Sequence, residues 1–272
     1  MPELPEVETL KSQLQSKIPG RVLAKVVVLN EAILKTPRAV LESKIPGKKI
    51  KGVARRGKFL CLDFEAGLKL WLHLGMTGQI LFTKSLEALD PHVHFILEFQ
   101  GTQDRLIYRD VRKFGGIFLT NGQPETLPEG VRLLAPDPFE MPGEAFVSLL
   151  KARKGRIKNL LMNQRLVAGL GNIYADESLH RAGIRPNVRP FRLARRRLAR
   201  LHEAILETLR EAIRAGGSTI DDYLHADGGK GSFQNFHRVY GRKGGACPAC
   251  GTSIRRVVLA GRSSFFCPTC QK

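Results

Sequence analysis

Four cysteines near the C-terminus constrain the fold of this 272-residue chain more than any other feature. They form two pairs, Cys247 with Cys250 and Cys267 with Cys270, and 16 residues separate the pairs. Each pair can bind one edge of a tetrahedral zinc ion, with the intervening residues turning back as a hairpin. The sequence therefore predicts one zinc ion held by all four cysteines. Because four thiolates leave no open coordination position, this zinc is expected to be structural.

Disulfides and a redox C-x-x-C pair are the alternatives for these cysteines. Neither suits a chain that is expected to be cytoplasmic and that has no thioredoxin-like βαβ pattern around the motif. A tail of about 32 residues is also too short to build a hydrophobic core without a metal. The fifth cysteine, Cys61, lies in an apolar run and is expected to be a buried strand residue.

The chain is strongly basic, and most of the excess lies in its C-terminal half. It has 44 Lys and Arg against 25 Asp and Glu, a formal charge of +19. Residues 141–272 hold 24 basic and 9 acidic residues, a net charge of +15, whereas residues 1–140 hold 20 and 16. Such an uneven charge indicates a polyanionic partner. Nucleic acid is favoured over a membrane surface, because the basic residues do not lie on one strongly amphipathic terminal helix.

Targeting and membrane signals are missing from the sequence. It contains no apolar run long enough to span a membrane, and its acidic N-terminus does not resemble a signal peptide. We therefore expect a cytoplasmic, nucleoid-associated protein with no membrane partner.

The opening segment MPELPEVETL combines a proline with nearby carboxylates. Removal of the initiator methionine would give Pro2 a free secondary amine, and Glu3 and Glu6 follow within four positions. An α-amine has an unperturbed pKa near ~8, against about 10.4 for lysine, so part of it is nucleophilic at neutral pH. A secondary amine that condenses with an aldehyde gives a cationic imine, beside which Glu3 could move protons. The alternative is ordinary helix-start chemistry, in which proline and glutamate only begin a helix.

Periodicity divides the chain into a β-rich part and a helical part. A first helix is predicted from the spacing of Val7, Leu10, Leu14 and Ile18. Short strands separated by turns are then typical of an antiparallel sandwich. These predicted strands are Arg21–Leu29, Lys58–Phe64, Leu68–Leu72, His94–Phe99, Arg105–Tyr108 and Gly116–Leu119.

A proline-rich stretch, Pro124 to Pro142, is expected to lead out of the sandwich into helices. The last and longest predicted helix is Leu193–Ala215, and the glycine-rich residues 226–235 are expected to form a mobile loop. One face of that helix is predicted to carry Leu198, Leu201, Ile205, Leu209 and Ala212.

Seven short motifs follow one another in a characteristic order. They are Pro2–Thr9, Arg55–Lys58, His73–Gly78, Asp110–Gly115, Val167–Glu177, Val239–Arg242 and the four-cysteine tail. Because these motifs and their order are those of one family, the chain resembles bacterial formamidopyrimidine-DNA glycosylases over essentially its whole length. Leu4 stands where the related endonuclease VIII branch typically has glycine, which favours the branch that acts on purine lesions.

The resemblance implies an α+β fold with two domains. An N-terminal antiparallel β-sandwich with flanking helices would be followed by a helix-two-turn-helix domain and a four-cysteine zinc finger. The boundaries are expected to give a catalytic domain at 1–135, a helical DNA-binding domain at 136–240 and a zinc-finger hairpin at 241–272.

The resemblance also implies a monomeric base-excision-repair enzyme that acts on double-stranded DNA containing an oxidised base, such as 8-oxoguanine or a formamidopyrimidine. Pro2 would attack C1′, expel the base and form a Schiff base, and β- and δ-eliminations would then cut the strand. Glu3 would protonate the sugar ring oxygen, and Glu6 would support the N-terminal geometry. Lys58 would contact phosphate and assist elimination. Arg262, in the zinc hairpin, is also expected to be a catalytic residue, which would contact phosphate.

Other residues are expected to bind the DNA itself. Flipping a nucleotide costs a few kcal/mol, so side chains must fill the gap that it leaves. Met76 and Phe114, each beside glycine, would insert there, and Arg112 would bind the orphaned base, although Met or Phe alone is more often core filler. Asn172 either caps a helix or binds phosphate at its start, and the resemblance favours phosphate. The remaining residues expected to contact phosphate or DNA are His73, His92, Arg153, Lys158 and Tyr240.

Three positions depart from the family pattern. Pro91–His94 replaces a run that usually contains lysine and aspartate, which puts the role of His92 in question. Gln234–His237 differs beside the expected lesion-capping loop, and Asp137 stands where glutamate is usual. Two other hypotheses stay open beside the purine-lesion enzyme: an oxidised-pyrimidine glycosylase of the endonuclease VIII type, and a catalytically silent binder of bent or damaged DNA.

Overall fold

In the computed structural model, which describes residues 2–84, 90–220 and 222–272, the first part of the chain forms two antiparallel sheets of four strands each. One sheet has the strand order β1-β6-β7-β5 and the other has the order β2-β3-β4-β8. The strands are β1 Leu23–Val28, β2 Ile50–Arg56, β3 Phe59–Phe64, β4 Lys69–His73, β5 Gly78–Thr83, β6 Val93–Phe99, β7 Arg105–Asp110 and β8 Gly116–Thr120.

The two sheets share one apolar core with the first helix, α1 (Leu4–Gln15). Alternate residues of each strand point inward, so that Leu60 and Leu62 of one sheet join Leu97 and Leu106 of the other in the same buried cluster. The buried face of α1 includes Val7, Leu10 and Leu14, at the spacing that the sequence predicts. Two short helices flank the sandwich, α2 (Arg38–Lys44) and α3 (Glu129–Arg132).

The chain divides into two compact units, and the division does not follow sequence order. The first unit comprises Met1–Arg132 together with Ala215–Ser232, and the second comprises Leu133–Arg214 together with Phe233–Lys272. The segment 215–232 therefore returns to the sandwich, where Tyr223 and Ala226 enter its core. The predicted boundaries at 135 and 240 stay a prediction.

Four helices and a hairpin form the second unit. The helices are α4 (Gly143–Lys151), α5 (Ile157–Leu161), α6 (Asn172–Arg181) and α7 (Arg195–Arg214), and both α4 and α6 pack on α7. The predicted apolar face of α7 is buried from Leu198 to Ala212. Strands β9 (Arg255–Leu259) and β10 (Arg262–Phe266) pair as an antiparallel hairpin whose turn is Ala260-Gly261.

The predicted fold class is confirmed: a two-sheet antiparallel sandwich is followed by helices and a four-cysteine hairpin. Strands β2 and β5 lie within the region predicted to be β but were not among the named strands, and helix α2 was not predicted. Strand β2 contains Gly52 and two arginines, and β5 begins at Gly78, so neither shows the alternation that identifies a strand. The predicted mobile loop 226–235 is tied down, because the Ala226 and Gly231 N–H groups donate to the Gln13 and Thr219 side chains.

Within the described residues, none of the helices combines the length and the apolar composition needed to cross a membrane.

Candidate active site and DNA-binding elements

The N-terminal residues are buried and fixed at the start of α1. Pro2 is buried, Glu3 is the N-cap residue, and Glu3 and Glu6 form a capping box in which each satisfies the backbone N–H of the other. Glu3 is only 2% exposed. Met1, whose removal would free the Pro2 amine, lies outside the described residues. Helix-start chemistry and a reactive terminus are thus not exclusive, because the same contacts that begin the helix immobilise the amine.

Glu6 joins this terminus to a distant part of the chain. One carboxylate oxygen accepts the Glu3 N–H at 2.8 Å, and the other accepts the Ser218 N–H at 2.8 Å. The Tyr223 hydroxyl donates to the Glu6 carbonyl at 3.2 Å. Gly217 has φ +81°, and a Cβ there would lie 2.8 Å from the Glu6 carboxylate, so glycine is required. Ser218, Gly217 and Tyr223 were missed by the sequence analysis, and only the pair Gly216-Gly217 hinted at a special backbone.

Lys58 and His73 lie close together at one end of the inner strands β3 and β4, in the sheet with the order β2-β3-β4-β8. Lys58 follows Gly57 in the β2–β3 turn and is 7% exposed. His73 ends β4, and its ring packs on Phe59 with centroids 4.6 Å apart. Burial and then the positive charge of Lys58 lower the pKa of His73 to about 4, against an opposing effect of Asp110. His73 is therefore neutral at physiological pH, so it can hydrogen-bond to DNA without adding charge.

The loops that follow β4 and β7 bring together Met76, Arg112 and Phe114. These are the side chains predicted to occupy the gap in the duplex or to bind the orphaned base. Met76 and Phe114 are 42% and 57% exposed, far above the core residues. The Arg112 guanidinium lies 4.5 Å from the Phe114 ring centroid and donates to the Met76 sulfur at 3.3 Å. Gly75 has φ +57°, and a Cβ there would come within 2.5 Å of the Phe114 backbone. The core-filler alternative therefore does not hold for either hydrophobic side chain.

Asp110, at the end of β7, organises both loops from inside and is fully buried. One of its carboxylate oxygens accepts the Thr77 hydroxyl at 2.5 Å and the Arg112 N–H at 3.3 Å. The other oxygen accepts the Gly115 N–H at 2.8 Å. This role was not predicted from the sequence, although Asp110 stands only two residues before Arg112.

The histidine pair at 92 and 94 divides into one accessible and one interior residue. His92 is half-buried, and its N–H donates to the Asp90 carboxylate at 2.8 Å. His94 is 1% exposed and its Nε2 lies 2.8 Å from the Asp110 carbonyl. Of the two, His92 is the one that could reach DNA, and its DNA contact stays a prediction.

The turn before α6 offers backbone N–H groups at a helix start. Gln164 holds this turn by accepting the Gly169 N–H and donating to the Leu170 carbonyl, both at 2.8 Å. Gly171 is the N-cap residue and Asn172 begins the helix. No cap hydrogen bond comes from a side chain, and the Asn172 Oδ1 has no hydrogen-bond partner among the residues that the structure describes. Capping by Asn172 is therefore wrong, and its predicted phosphate contact stays a prediction.

Lys158 lies inside the second unit, at 1% exposure. Its ammonium is 2.8 Å from an Asp176 carboxylate oxygen and donates to the Ser263 carbonyl at 2.9 Å. The other Asp176 oxygen accepts the Phe265 N–H at 2.9 Å. Burial raises the pKa of Asp176, although the Lys158 charge acts against it. The structure thus uses Lys158 to join α5 and α6 to the zinc hairpin, and its predicted phosphate contact stays a prediction.

The neighbouring Glu177 holds the segment that carries Tyr240. Its carboxylate accepts the N–H groups of Arg238, Val239 and Tyr240 at 2.8 to 3.0 Å. The Tyr240 ring packs edge-on against Phe265 at 5.4 Å. Asp176 and Glu177 were missed as network residues. No clear signal for them was present in the sequence, because α6 contains several other polar residues and acids are rarely buried unless paired.

The two remaining basic residues of the predicted site are exposed. Arg153 follows α4, and Arg262 begins β10 directly after the turn Ala260-Gly261, in which both residues have positive φ. This turn type suits a tight two-residue hairpin and leaves Arg262 at its tip.

The four cysteines converge as the zinc prediction requires. Their sulfur atoms all lie within 4.8 Å of one another, with Cys250 and Cys267 at 3.4 Å and Cys247 and Cys270 at 3.9 Å. A tetrahedral zinc with bonds of about 2.3 Å places its sulfur ligands about 3.8 Å apart, which agrees with this cluster. The cysteines therefore fit one structural zinc. Cys61 is separate and buried, and burial raises the pKa of its thiol to about 12.

Three family models match consecutive parts of the chain. They are the formamidopyrimidine-DNA glycosylase N-terminal domain at residues 1–117, the H2TH domain of the same enzymes at 134–223 and a zinc finger found in FPG and IleRS at 244–272. Curated relatives named formamidopyrimidine-DNA glycosylase match over the whole chain. That of Solibacter usitatus is 45% identical and that of Pelotomaculum thermopropionicum 41% identical, each covering 100% of this chain and at least 99% of the relative.

Solved structures give the same result. Lactococcus lactis Fpg bound to DNA containing an abasic site is similar with a TM-score of 0.91 at 36% identity, covering 99% of both chains. A complex of an L. lactis Fpg mutant with DNA containing Fapy-dG gives a TM-score of 0.92 at 36% identity and covers 100% of both chains. The MutM (Fpg) protein of Thermus thermophilus gives 0.89 at 39% identity, over 99% of this chain and 98% of that one.

Proposed function

Because the chain belongs to the formamidopyrimidine-DNA glycosylase family, we propose that Pro2 and Glu3 carry out its excision of oxidised purines from DNA. The protein is a base-excision-repair DNA glycosylase with AP lyase activity, and it binds DNA and one structural zinc. This assignment favours the purine-lesion hypothesis over the pyrimidine-lesion and silent-binder alternatives.

The observation that supports Pro2 as the nucleophile is the fixed, buried N-terminus. The Glu6 carboxylate binds the Glu3 N–H and the Ser218 N–H together, which holds Pro2 and Glu3 in one position before any substrate arrives. Positioning of this kind supplies a large part of catalysis, because a reaction between two molecules then behaves like a reaction within one.

The proposed reaction uses the Pro2 nitrogen lone pair. It attacks C1′, the bond from C1′ to the base nitrogen breaks, and the base leaves with that electron pair. The Pro2 nitrogen then gives up its N–H proton, which neutralises the departing base. The nitrogen lone pair forms the C=N bond as the C1′–O4′ bond opens, Glu3 protonates the ring oxygen O4′, and a cationic imine remains. Loss of a C2′ proton then expels the 3′ phosphate, and a second elimination expels the 5′ phosphate. Lys58 and Arg262 stabilise the phosphate groups, because their cationic side chains favour the negative charge that develops there.

The exposed side chains of the two loops would keep the damaged nucleotide flipped out of the duplex. We propose that Met76 and Phe114 fill the gap in the duplex and that Arg112 hydrogen-bonds the orphaned base, since all three lie together on the surface. His73, neutral and beside Lys58, would hydrogen-bond the backbone. The other proposed DNA contacts are His92, Arg153, Lys158, Asn172 and Tyr240.

The proposed partner is duplex DNA containing one oxidised base, bound by a monomer in the nucleoid. Its support is that similar solved structures contain DNA with an abasic site or Fapy-dG. We also propose that residues 1–135 form the catalytic domain, residues 136–240 the helical DNA-binding domain and residues 241–272 the zinc finger.

Borohydride trapping tests the proposal directly. The protein is first shown by N-terminal sequencing to begin at Pro2. It is then incubated with a duplex that contains one 8-oxoguanine opposite cytosine, borohydride reduces the imine, and the residue that carries the adduct is mapped. We expect a covalent link to Pro2 that is lost when an extra N-terminal residue blocks the amine. Glu3→Gln should nearly abolish excision and leave DNA affinity unchanged. An adduct on a lysine, or wild-type excision by Glu3→Gln, would overturn the assignment of that residue.

A further inference from the structure

A basic cavity lies in the second unit, at the C-terminal end of α6. Its volume is about 460 Å³, and its wall includes His180, Arg181, Arg197, Arg200, Arg238 and Lys272. Five of these six side chains are cationic at neutral pH, and among the residues that the structure describes no aspartate or glutamate side chain lines the cavity. None of these six residues belongs to the proposed reaction or to the proposed DNA contacts.

Two of the arginines are fixed by partners. Arg181 pairs with Glu207, at 2.9 Å, and with Glu211. Arg197 donates to the backbone carbonyls of Gly183 and Lys272 at 2.9 and 3.0 Å. These two contacts hold the Arg197 guanidinium in place in the cavity wall.

The other three cations have no partner of their own. Within residues 2–84, 90–220 and 222–272, no side chain or backbone group forms a hydrogen bond or ion pair with the side chains of Arg200, Arg238 or Lys272. Arg200 and Arg238 are also exposed, so their guanidinium groups can turn towards a ligand without breaking an existing contact.

The cavity wall also contains a buried histidine. His180 is 6% exposed, and its Nε2 lies 3.4 Å from the Cys247 sulfur. Its Nδ1 has no hydrogen-bond partner among the described residues. This atom is itself buried, so it belongs to the wall behind the cavity and is not offered to a ligand.

The cavity is separate from the phosphate-binding turn at the start of α6. Asn172 is the first of ten residues in this helix, and Arg181 is the last. At 1.5 Å per residue step the two residues are about 13–14 Å apart, which is more than one phosphate group can bridge.

We propose that this cavity is a second anion site, which binds a phosphate group. The side chains of Arg200, Arg238 and Lys272, which have no ion-pair partner within the described residues, suit an anion with several oxygens and more than one negative charge, whereas one arginine is enough for a carboxylate. The phosphate can come from the backbone of a second DNA segment or from a free phosphate compound. A second segment bound here would let the enzyme move between neighbouring duplexes while the first site is occupied.

Pyrophosphate is the first probe. Its binding to the zinc-loaded protein is measured by calorimetry at constant ionic strength, for the wild type and for the double variant Arg200→Ala/Arg238→Ala. We expect the double variant to bind about tenfold or more weakly, because two charge-assisted contacts are lost. Arg196→Ala is the matched control, since Arg196 is exposed on the same helix and does not line the cavity. Arg200→Lys/Arg238→Lys, which keeps the charges, should bind pyrophosphate better than the alanine double variant.

A second arm identifies the source of the phosphate. With the first site saturated by abasic-site DNA, the binding of an undamaged duplex is titrated against salt. If the DNA backbone is the ligand, the double variant loses this second binding event and its salt dependence. If a free phosphate compound is the ligand, only pyrophosphate binding changes.

Equal pyrophosphate affinity in the wild type and the double variant would overturn the proposal. So would an acidic peptide that binds the cavity and is not displaced by pyrophosphate. Borohydride trapping should be the same in all variants, which confirms that each one is folded and active and separates this test from that of Pro2.

Discussion

Removal of the Asp110 carboxylate should release the two loops that carry Met76, Arg112 and Phe114. The carboxylate is fully buried and accepts hydrogen bonds from Thr77, Arg112 and Gly115. Hydrogen bonds to a charged group contribute about 1.5–3 kcal/mol each and are not additive, so Asp110→Ala should cost about 3–6 kcal/mol of unfolding free energy. Asp110→Asn keeps one acceptor oxygen and turns an amide N–H₂ towards a donor, which should cost about 1–3 kcal/mol.

The functional effect should depend on the substrate. Excision of 8-oxoguanine requires a stacked base to be extruded, so we expect Asp110→Asn to slow it by about tenfold or more. Trapping on a preformed abasic site should change much less, because no base has to be flipped. The assays are single-turnover excision, borohydride trapping and urea unfolding, with Thr77→Val as a control that removes one donor only. Wild-type excision by Asp110→Asn, or an Asp110→Ala stability within about 0.5 kcal/mol of the wild type, would refute this reasoning.

Three further predictions concern other parts of the molecule. Glu6→Gln should reduce the rate of excision by about 10–100-fold, because the glutamine N–H₂ would face the backbone N–H of Glu3 or Ser218, donor against donor. Single-turnover rates equal to those of the wild type would contradict the positioning role of Glu6. His73 has a folded-state pKa of about 4, below the ordinary 6.5. Its contribution to the free energy of unfolding is therefore complete above pH 6.5 and is lost as the pH falls towards 4. Because burial also lowers the pKa of His180 and His237, both the wild type and His73→Asn should lose stability in this window. The free energy of unfolding in urea should fall by at most about 3 kcal/mol more in the wild type than in His73→Asn. Zinc removal should reduce DNA affinity before the sandwich unfolds, and unchanged affinity after complete chelation would exclude a DNA role for the tail.

Features with a fixed spacing were visible in the sequence. The zinc ligands could be identified because two C-x-x-C pairs bind one metal only in a narrow range of geometries, and the sulfur distances agree with it. The buried faces of α1 and α7 followed from helical periodicity. Strand β2 was missed because its charged and glycine residues conceal the alternation.

Contacts between distant segments were decided by the tertiary structure alone. Ser218 meets Glu6 across 212 positions of sequence, and Phe265 meets Asp176 across 89. The burial of Lys158 has the same origin, since its partners lie in another helix and in the hairpin. Spacing predicts which residue types can perform a chemistry, because it reflects local backbone geometry. It does not indicate which distant backbone N–H will meet a buried carboxylate, because that depends on how whole elements pack.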